Sequence, residues 1–145
     1  MTGTTVDLAE LASRVRMALF PLTRQLRHQN LDLTATQASA LATISRCEPL
    51  TVGDLAKAEH VSSPMITKVV KGLEDAGLVR KDVDPVDRRV ARLTITRDGT
   101  RRLERSRTRK NAWLAKRLRV LDADELAVLE AAIPVFEKLA GVAPE

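Results

Sequence analysis

Two clusters of polar and basic side chains in the sequence have the chemistry needed to contact duplex DNA. The first lies on the outer face of a predicted helix and consists of Ser62, Ser63, Thr67, Lys68 and Lys71. Hydroxyl and ammonium groups can bond to base edges or phosphates, and the free N–H groups at a helix N-terminus favour a phosphate. The alternative is that the serines only cap the helix and the lysines are solvated.

The second cluster lies in a predicted hairpin loop, where Arg88 and Arg89 follow Asp87. An arginine at a hairpin tip can enter a narrow minor groove, where the negative potential favours it. Because an acid that faces phosphate would be repelled, we expect Asp87 to brace the loop by pairing with an arginine. A solvated basic turn is the alternative interpretation of this loop.

Enzymatic and metal-binding chemistry has little support in the sequence. There are two histidines, His28 and His60, and one cysteine, Cys47, and no glycine-rich phosphate loop, nucleophile elbow or paired metal-ligand spacing. We therefore expect no enzyme activity, no metal site and no cofactor.

Cys47 follows Arg46, which could lower the pKa of the thiol and make it a redox switch. We favour a packed thiol, because Cys47 is late in a predicted helix.

Composition and charge restrict the class of protein. The chain has 145 residues, of which 44% are hydrophobic and 30% charged, as in soluble globular domains. The net charge is +5, and residues 78–110 carry 12 basic and 5 acidic side chains. With 2% aromatic residues, the chain lacks the stacking platforms of single-strand binders, which favours duplex DNA. The sequence has no apolar run near the ~18 residues of a membrane span and no secretory signal, so we expect a cytoplasmic protein with no membrane partner.

Hydrophobic periodicity predicts the elements that would position these residues. Helices are expected at 6–29, from the capping box at Thr34 to a break at Pro49, from Thr51 to about residue 59, from Ser63 to about residue 76, at 97–120 and from Asp122 to residue 140. Strands are expected at 78–81 and 90–96. Capping boxes begin the second and last helices, and Gly77 is a typical left-handed helix end. The predicted fold class is mainly α with a small β-hairpin, and residues 34–96 form a winged helix-turn-helix. Helices are expected to flank it in residues 6–30 and 97–140, and the family resemblance given next implies that these are dimerisation helices.

The chain resembles the MarR family of bacterial transcriptional regulators over nearly its full length, 1–145. The match is carried by Leu55-Ala56, residues 62–68 and 73–80, Asp87-Arg88-Arg89, and Leu93–Thr96 followed by Gly99. The resemblance implies a homodimer whose terminal helices interlock and whose two winged domains read a pseudo-palindromic operator. It favours Arg89 as the DNA contact of the wing, and it implies a small-molecule pocket between the dimer helices and the winged domain.

The two ends of the chain carry more apolar side chains than a lone winged domain needs. We expect these side chains to form an intermolecular helical interface: Leu8, Leu11, Val15, Leu126, Leu129, Ile133 and Phe136. The candidate effector pocket combines two helices and could hold a small aromatic or anionic effector, with ordinary packing as the alternative: Met17, Phe20, Arg24, His28, Thr43 and Arg46.

The sequence therefore predicts a dimeric, sequence-specific regulator that binds duplex DNA and acts as a repressor released by a small-molecule effector. The alternatives are a constitutive DNA-binding protein without an effector, a redox-sensing regulator acting through Cys47, and a small enzyme or membrane-surface module.

The basic side chains of the fifth helix allow two interpretations, contact with the DNA backbone or pairing with acidic side chains across the dimer: Arg97, Arg101, Arg102, Arg105, Arg107, Arg109 and Lys110.

Overall fold

A computed structural model of the chain describes residues 6–30 and 32–141, so the extreme ends of the predicted 1–145 unit lie outside it. The elements follow in the order α1 (Leu8–Arg27), α2 (Ala35–Cys47), β1 (Leu50–Thr51), α3 (Val52–Glu59), α4 (Ser63–Asp75), β2 (Val79–Val83), β3 (Ala91–Ile95), α5 (Arg97–Leu118) and α6 (Ala123–Ala140). The mainly helical fold is confirmed. The chain divides into two compact units, and the boundary falls within α5, between residues 110 and 111.

Helix ends follow local chemistry in the sequence. Thr34 Oγ1 accepts from the N–H of Gln37 at 3.1 Å, and Gln37 Oε1 accepts from the N–H of Thr34 at 3.0 Å. A second capping box of the same kind, formed by Asp122 and Glu125, begins α6. Each box satisfies two backbone donors that the first helical turn leaves without a partner, which is why these two helices begin where the sequence predicts.

In the described ranges the sheet has three antiparallel strands in the order β1-β3-β2, so the expectation of a hairpin alone was incomplete. In β1, Leu50 pairs with Leu93 and Thr51 with Arg92. A strand of two residues is too short to show a period of two, and only its pairing with β3 defines it. The strand anchors the start of α3 beside the hairpin.

One hydrophobic core holds the helix-turn-helix and the sheet together. Its largest fully buried apolar side chains come from α2, α3, α4 and β3: Leu41, Ile44, Leu55, Ile66, Leu73 and Leu93. The turn between α3 and α4 passes through His60, which has a left-handed φ of 53° and donates its N–H to the last turn of α3. Because the core takes one face of α4, the opposite face of that helix is turned outward.

Gly99 lies where α5 passes close to Leu78, the residue before β2, and to Ile95 at the end of β3. A Cβ at this position would be 2.0 Å from the Leu78 carbonyl oxygen and 2.7 Å from Ile95 Cγ1.

Backbone and side chain would both have to move, so we expect Gly99→Ala to destabilise the fold by about 1–3 kcal/mol or more. Thermal denaturation measures the effect. Gly53→Ala is the matched control, since its nearest neighbour would be 3.8 Å away. Equal melting temperatures for the two variants would contradict the prediction.

Candidate nucleic-acid interface

Helix α4 presents a polar face to solvent. Ile66, Val70 and Leu73 are buried, whereas the candidate DNA-contacting residues of the helix are exposed: Ser62, Ser63, Thr67, Lys68 and Lys71. Ser62 occupies the N-cap position, but its side chain makes no capping hydrogen bond, so capping alone does not account for that hydroxyl. Thr67 Oγ1 donates to the Ser63 carbonyl at 2.8 Å, which leaves its oxygen free to accept from a base edge.

The turn of the wing, residues 84–90, is organised around Asp84. Asp84 Oδ1 accepts from the N–H groups of Val86 at 2.8 Å and Asp87 at 3.0 Å, and its other oxygen pairs with the Arg92 guanidinium. The Asp87 N–H, then the Arg92 side chain and the Val86 N–H, lower the pKa of Asp84 from 3.8 to about 2. The carboxylate therefore stays charged over the whole physiological range, and its contacts with two backbone N–H groups and Arg92 brace the turn.

Asp87 and Arg89 pair with each other in the same turn. Asp87 Oδ1 accepts from both the N–H and Nε of Arg89 at 3.1 Å, and these bonds lower the pKa of Asp87. The Arg89 side chain nevertheless remains 91% exposed. Arg88 is exposed too, and no ion pair to it occurs among the described residues. The candidate wing contacts are thus presented on a braced loop.

Sequence reasoning missed Asp84 and Arg92 as structural residues of the wing. Asp84 precedes Pro85, and an aspartate before a proline is typical of a turn in which the side chain accepts from backbone N–H groups two residues on. That pattern could have identified Asp84. Arg92 is eight residues away on the outward side of β3, and nothing local links the two.

Removing the Asp84 carboxylate should loosen the wing without unfolding the core. In Asp84→Ala, amide hydrogen exchange at Val86 and Asp87 should become faster. Affinity for all duplexes should fall roughly 3- to 10-fold, because ordering a freed loop costs about 0.5–1.5 kcal/mol per immobilised side chain. Asp82→Ala is the control, since Asp82 pairs only with Arg80 in this hairpin. Exchange as slow as in the parent would contradict the bracing role.

The same brace should be insensitive to pH near neutrality. A carboxylate whose folded pKa is depressed stabilises the structure above its ordinary value of 3.8 and loses that contribution as the pH falls through about 2. Protection of the Val86 and Asp87 amides, corrected for intrinsic exchange, should therefore be constant from about pH 5 to 8 and decline only below about pH 4. A midpoint near neutrality would contradict the assignment.

A groove of about 630 Å³ separates α4 from the wing, and it brings candidates from both elements together. It is lined by Thr67 and Lys71 of α4, Lys81 and Arg89 of the hairpin, and Val52 and Gly53 at the start of α3. Three cations and the Thr67 hydroxyl line the groove together with one carboxylate, that of Glu74, and this surplus of positive charge suits a phosphate.

The six candidate effector residues are not brought into one cavity. Phe20, Arg24 and His28 line a hollow of about 330 Å³ on α1. Thr43 is buried instead, where it donates to Glu59 Oε1 at 2.6 Å and accepts from Arg46 at 3.3 Å. The remaining candidate, Met17, is exposed on α1.

A different cavity, of about 490 Å³, lies beside α2 and α5 and carries three cationic side chains, Arg27, Arg107 and Lys110. Glu59 also lines it. Burial, together with the charge of Arg107, lowers the pKa of Lys110. Sequence reasoning missed this cavity because its lining comes from elements far apart in the chain.

The apolar candidates for the dimer interface are uncovered in the single chain. No residue of α1 or of α6 is buried among those described, and Leu8, Ile133 and Phe136 are 75%, 49% and 38% exposed. Leu11, Leu126 and Leu129 are exposed as well, and Val15 is half-buried. Each of the two helices therefore presents an apolar face to solvent.

The expectation of a packed Cys47 was wrong. The thiol is exposed, because Cys47 is the last residue of α2 and lies beyond Ile44, the final buried residue of that helix. Arg46 bonds to Thr43 rather than to the sulfur.

No described helix combines the length and apolar character needed to cross a membrane. In the described ranges, no group of three or more His, Cys, Asp or Glu residues has the arrangement of a metal site.

Comparison with known proteins agrees with this architecture. A model of the MarR family matches residues 33–91. An uncharacterized HTH-type transcriptional regulator of Mycobacterium leprae is 33% identical over 138 residues, which cover 94% of this chain and 96% of the relative. The structure of a MarR family protein from Bacillus stearothermophilus superposes with a TM-score of 0.77 at 25% identity, covering 92% of this chain and 95% of that one.

A further structure, a mutant of Staphylococcus aureus MepR bound to an oligodeoxyribonucleotide, superposes with a TM-score of 0.68 over 92% of this chain and 98% of that one. At 20% identity it shows a shared fold. The winged helix-turn-helix, together with the relative that matches nearly end to end, establishes that this chain belongs to the MarR family of transcriptional regulators.

Proposed function

We propose that the protein is a homodimeric, sequence-specific regulator that binds duplex DNA and represses its target genes until a small-molecule effector releases it. The observation that carries the proposal is the groove where α4 and the wing present Thr67, Lys71 and Arg89 together. Helix α4 would read base edges in a major groove, and the braced wing would follow the adjacent minor groove. MepR, which shares the fold, has been solved in complex with an oligodeoxyribonucleotide, and this supports binding to DNA.

Binding titrations with a duplex and with its separated strands test the choice of DNA form. We expect the duplex to be favoured, because the chain has few aromatic side chains on which unstacked bases could lie. The logarithm of the affinity should fall linearly with the logarithm of salt concentration, with a slope of about −0.9 for each phosphate neutralised. Tighter binding to single strands, or affinity independent of salt, would contradict the proposal.

The cavity beside α2 and α5 favours an anionic effector. Arg27, Arg107 and Lys110 line it, and the lowered pKa of Lys110 shows that its charged form lacks compensation there. A bound carboxylate would supply that compensation, and it would be repelled by Glu59, which is one residue from the turn that leads to α4. Binding in the cavity can therefore be coupled to the position of the recognition helix.

Release from DNA by small aromatic carboxylates tests this part of the proposal. With benzoate as the probe, we expect operator affinity to fall about 5- to 150-fold at saturation, the usual range of coupling between sites. Lys110→Gln should remove most of that response. If benzoate and related anions leave operator affinity unchanged, a constitutive DNA-binding protein becomes the better interpretation.

A further inference from the structure

The first half of α5 carries a concentrated positive charge. Residues 97–110 contain seven basic and two acidic side chains, a surplus of five that equals the net charge of the whole chain. The α5 arginine face, as we call it, consists of Arg97, Arg101, Arg105 and Arg109, each exposed and each four residues after the last. Such residues are about 6 Å apart along the helix axis, so their guanidinium groups form a row.

Ion pairs among the described residues do not neutralise this surplus. On α4 and the hairpin, most cations have an acidic partner: Lys71 with Asp75 at 3.6 Å, Arg80 with Asp82 at 2.9 Å, and the two wing pairs already described. On the α5 arginine face, Arg101 pairs with Asp98 at 3.4 Å. Among the described residues, no carboxylate forms an ion pair with Arg97, Arg105 or Arg109.

The α5 arginine face is separate from the groove between α4 and the wing. Gly99, Leu103 and Ser106 form the buried side of α5, and the arginines lie away from it. Strand β3 ends at Ile95, which pairs with Val79 at the end of the hairpin remote from the wing turn. Helix α5 begins directly after β3 and therefore starts at that remote end. Five paired residues separate those two ends, or about 15 Å. No residue of α5 lines the groove between α4 and the wing, and Arg101, Arg105 and Arg109 line a separate hollow.

A row of like charges weakens the helix that carries it, since cations four residues apart repel each other. A polyanion removes that repulsion, and phosphodiester groups suit guanidinium because both oxygens of a phosphate can accept from its fork of N–H donors. Duplex DNA offers about one charge per 1.7 Å of its axis, dense enough to meet every arginine of the row. Thr108 and Glu104, which line the hollow between Arg101, Arg105 and Arg109, provide no apolar anchor for a lipid surface.

We propose that the α5 arginine face binds the phosphate backbone of a second stretch of duplex DNA, separate from the operator half-site held by α4 and the wing. This inference rests on the proposed function, because the first stretch of DNA is the operator. The second contact is independent of base sequence, and it lets one protein dimer hold two DNA segments together.

A two-duplex capture experiment tests the proposal. The protein is saturated with an immobilised short operator duplex at about 50 mM salt, where phosphate contacts are strong, and a fluorescent duplex of unrelated sequence is added. The test variant is Arg105→Gln/Arg109→Gln. The control, Arg14→Gln/Arg16→Gln, removes the same charge from exposed positions of α1, and glutamine matches arginine in helix propensity.

We expect the parent and the control to retain the fluorescent duplex and the test variant to retain about fivefold less or lower still. Operator affinity of the test variant should stay within about twofold of the parent, and its melting temperature should be equal or higher, because the repulsion within α5 is relieved. A merely structural role for the two arginines would instead lower the melting temperature.

The outcomes separate this inference from the proposed function. If the parent does not bind the operator, the proposed function fails. If it binds the operator but retains no second duplex, or if the test variant retains as much as the parent, only the second contact is overturned. Binding of the parent to phosphatidylglycerol vesicles without capture of a second duplex would also overturn it, in favour of a membrane surface.

Discussion

Replacing Ile133 with glutamate should convert the protein into a monomer and weaken operator binding by about 100-fold or more. Ile133 is half-exposed on α6 in line with Leu129 and Phe136, and in the proposed homodimer we expect a second chain to cover it. A carboxylate buried without a partner in such an interface costs several kcal/mol. Once the dimer is lost, the two half-sites are no longer bound as one unit. The gain in affinity from linking the two binding events, about 10²- to 10⁴-fold, is then lost as well.

Sedimentation at micromolar concentration and operator titration measure the two effects of Ile133→Glu. Val135→Glu is the matched control, because Val135 is 58% exposed on the other side of α6. The control should remain a dimer with nearly unchanged affinity. An Ile133→Glu protein that is still dimeric, or a monomer that binds the operator as tightly as the parent, would contradict the assignment of the interface.

Substitutions in α4 and in the wing should weaken DNA binding in different ways. Thr67→Ala or Lys68→Ala should relax base preference, with a loss of about 1–3 kcal/mol per base contact at the operator and little change on a scrambled duplex. Arg89→Ala should weaken binding to both duplexes alike, because an arginine in a minor groove reads its width and potential more than its bases.

Arg89→Ala should also make the salt dependence of the affinity less steep, because up to about one counterion fewer would be released from the DNA at each site. Since Arg89 bonds to Asp87, removing it exposes a carboxylate that would repel phosphate, and Asp87→Ala/Arg89→Ala should recover part of the affinity. Titrations of both duplexes at several salt concentrations decide between the roles. An Arg89→Ala protein that is folded and unchanged in affinity and salt slope would remove the wing from the interface.

What the sequence predicted correctly was local chemistry. The capping box at Thr34, the left-handed turn at Gly77 and the outward face of α4 each depend on residues within a few positions of one another. Short-range hydrogen bonds and helical periodicity are sufficient to define such features. They were enough to predict the helix-turn-helix and to nominate its exposed side chains.

What the sequence could not predict depends on distant residues. Strand β1 exists only because Leu50 meets Leu93, and the cavity near Lys110 exists only because α5 packs beside α2. The ion pair between Asp84 and Arg92 depends on the hairpin register, which periodicity alone does not define. Cys47 illustrates the same limit, because its exposure depends on where α2 ends relative to the core.

Sequencing the duplexes that the protein selects from a random pool tests the proposed function most directly. A dimer that places two copies of α4 in successive major grooves should enrich two inverted half-sites whose centres are about 10 bp apart, one helical turn. Enrichment of a single unrepeated half-site, or no enrichment of any duplex sequence, would contradict the proposal.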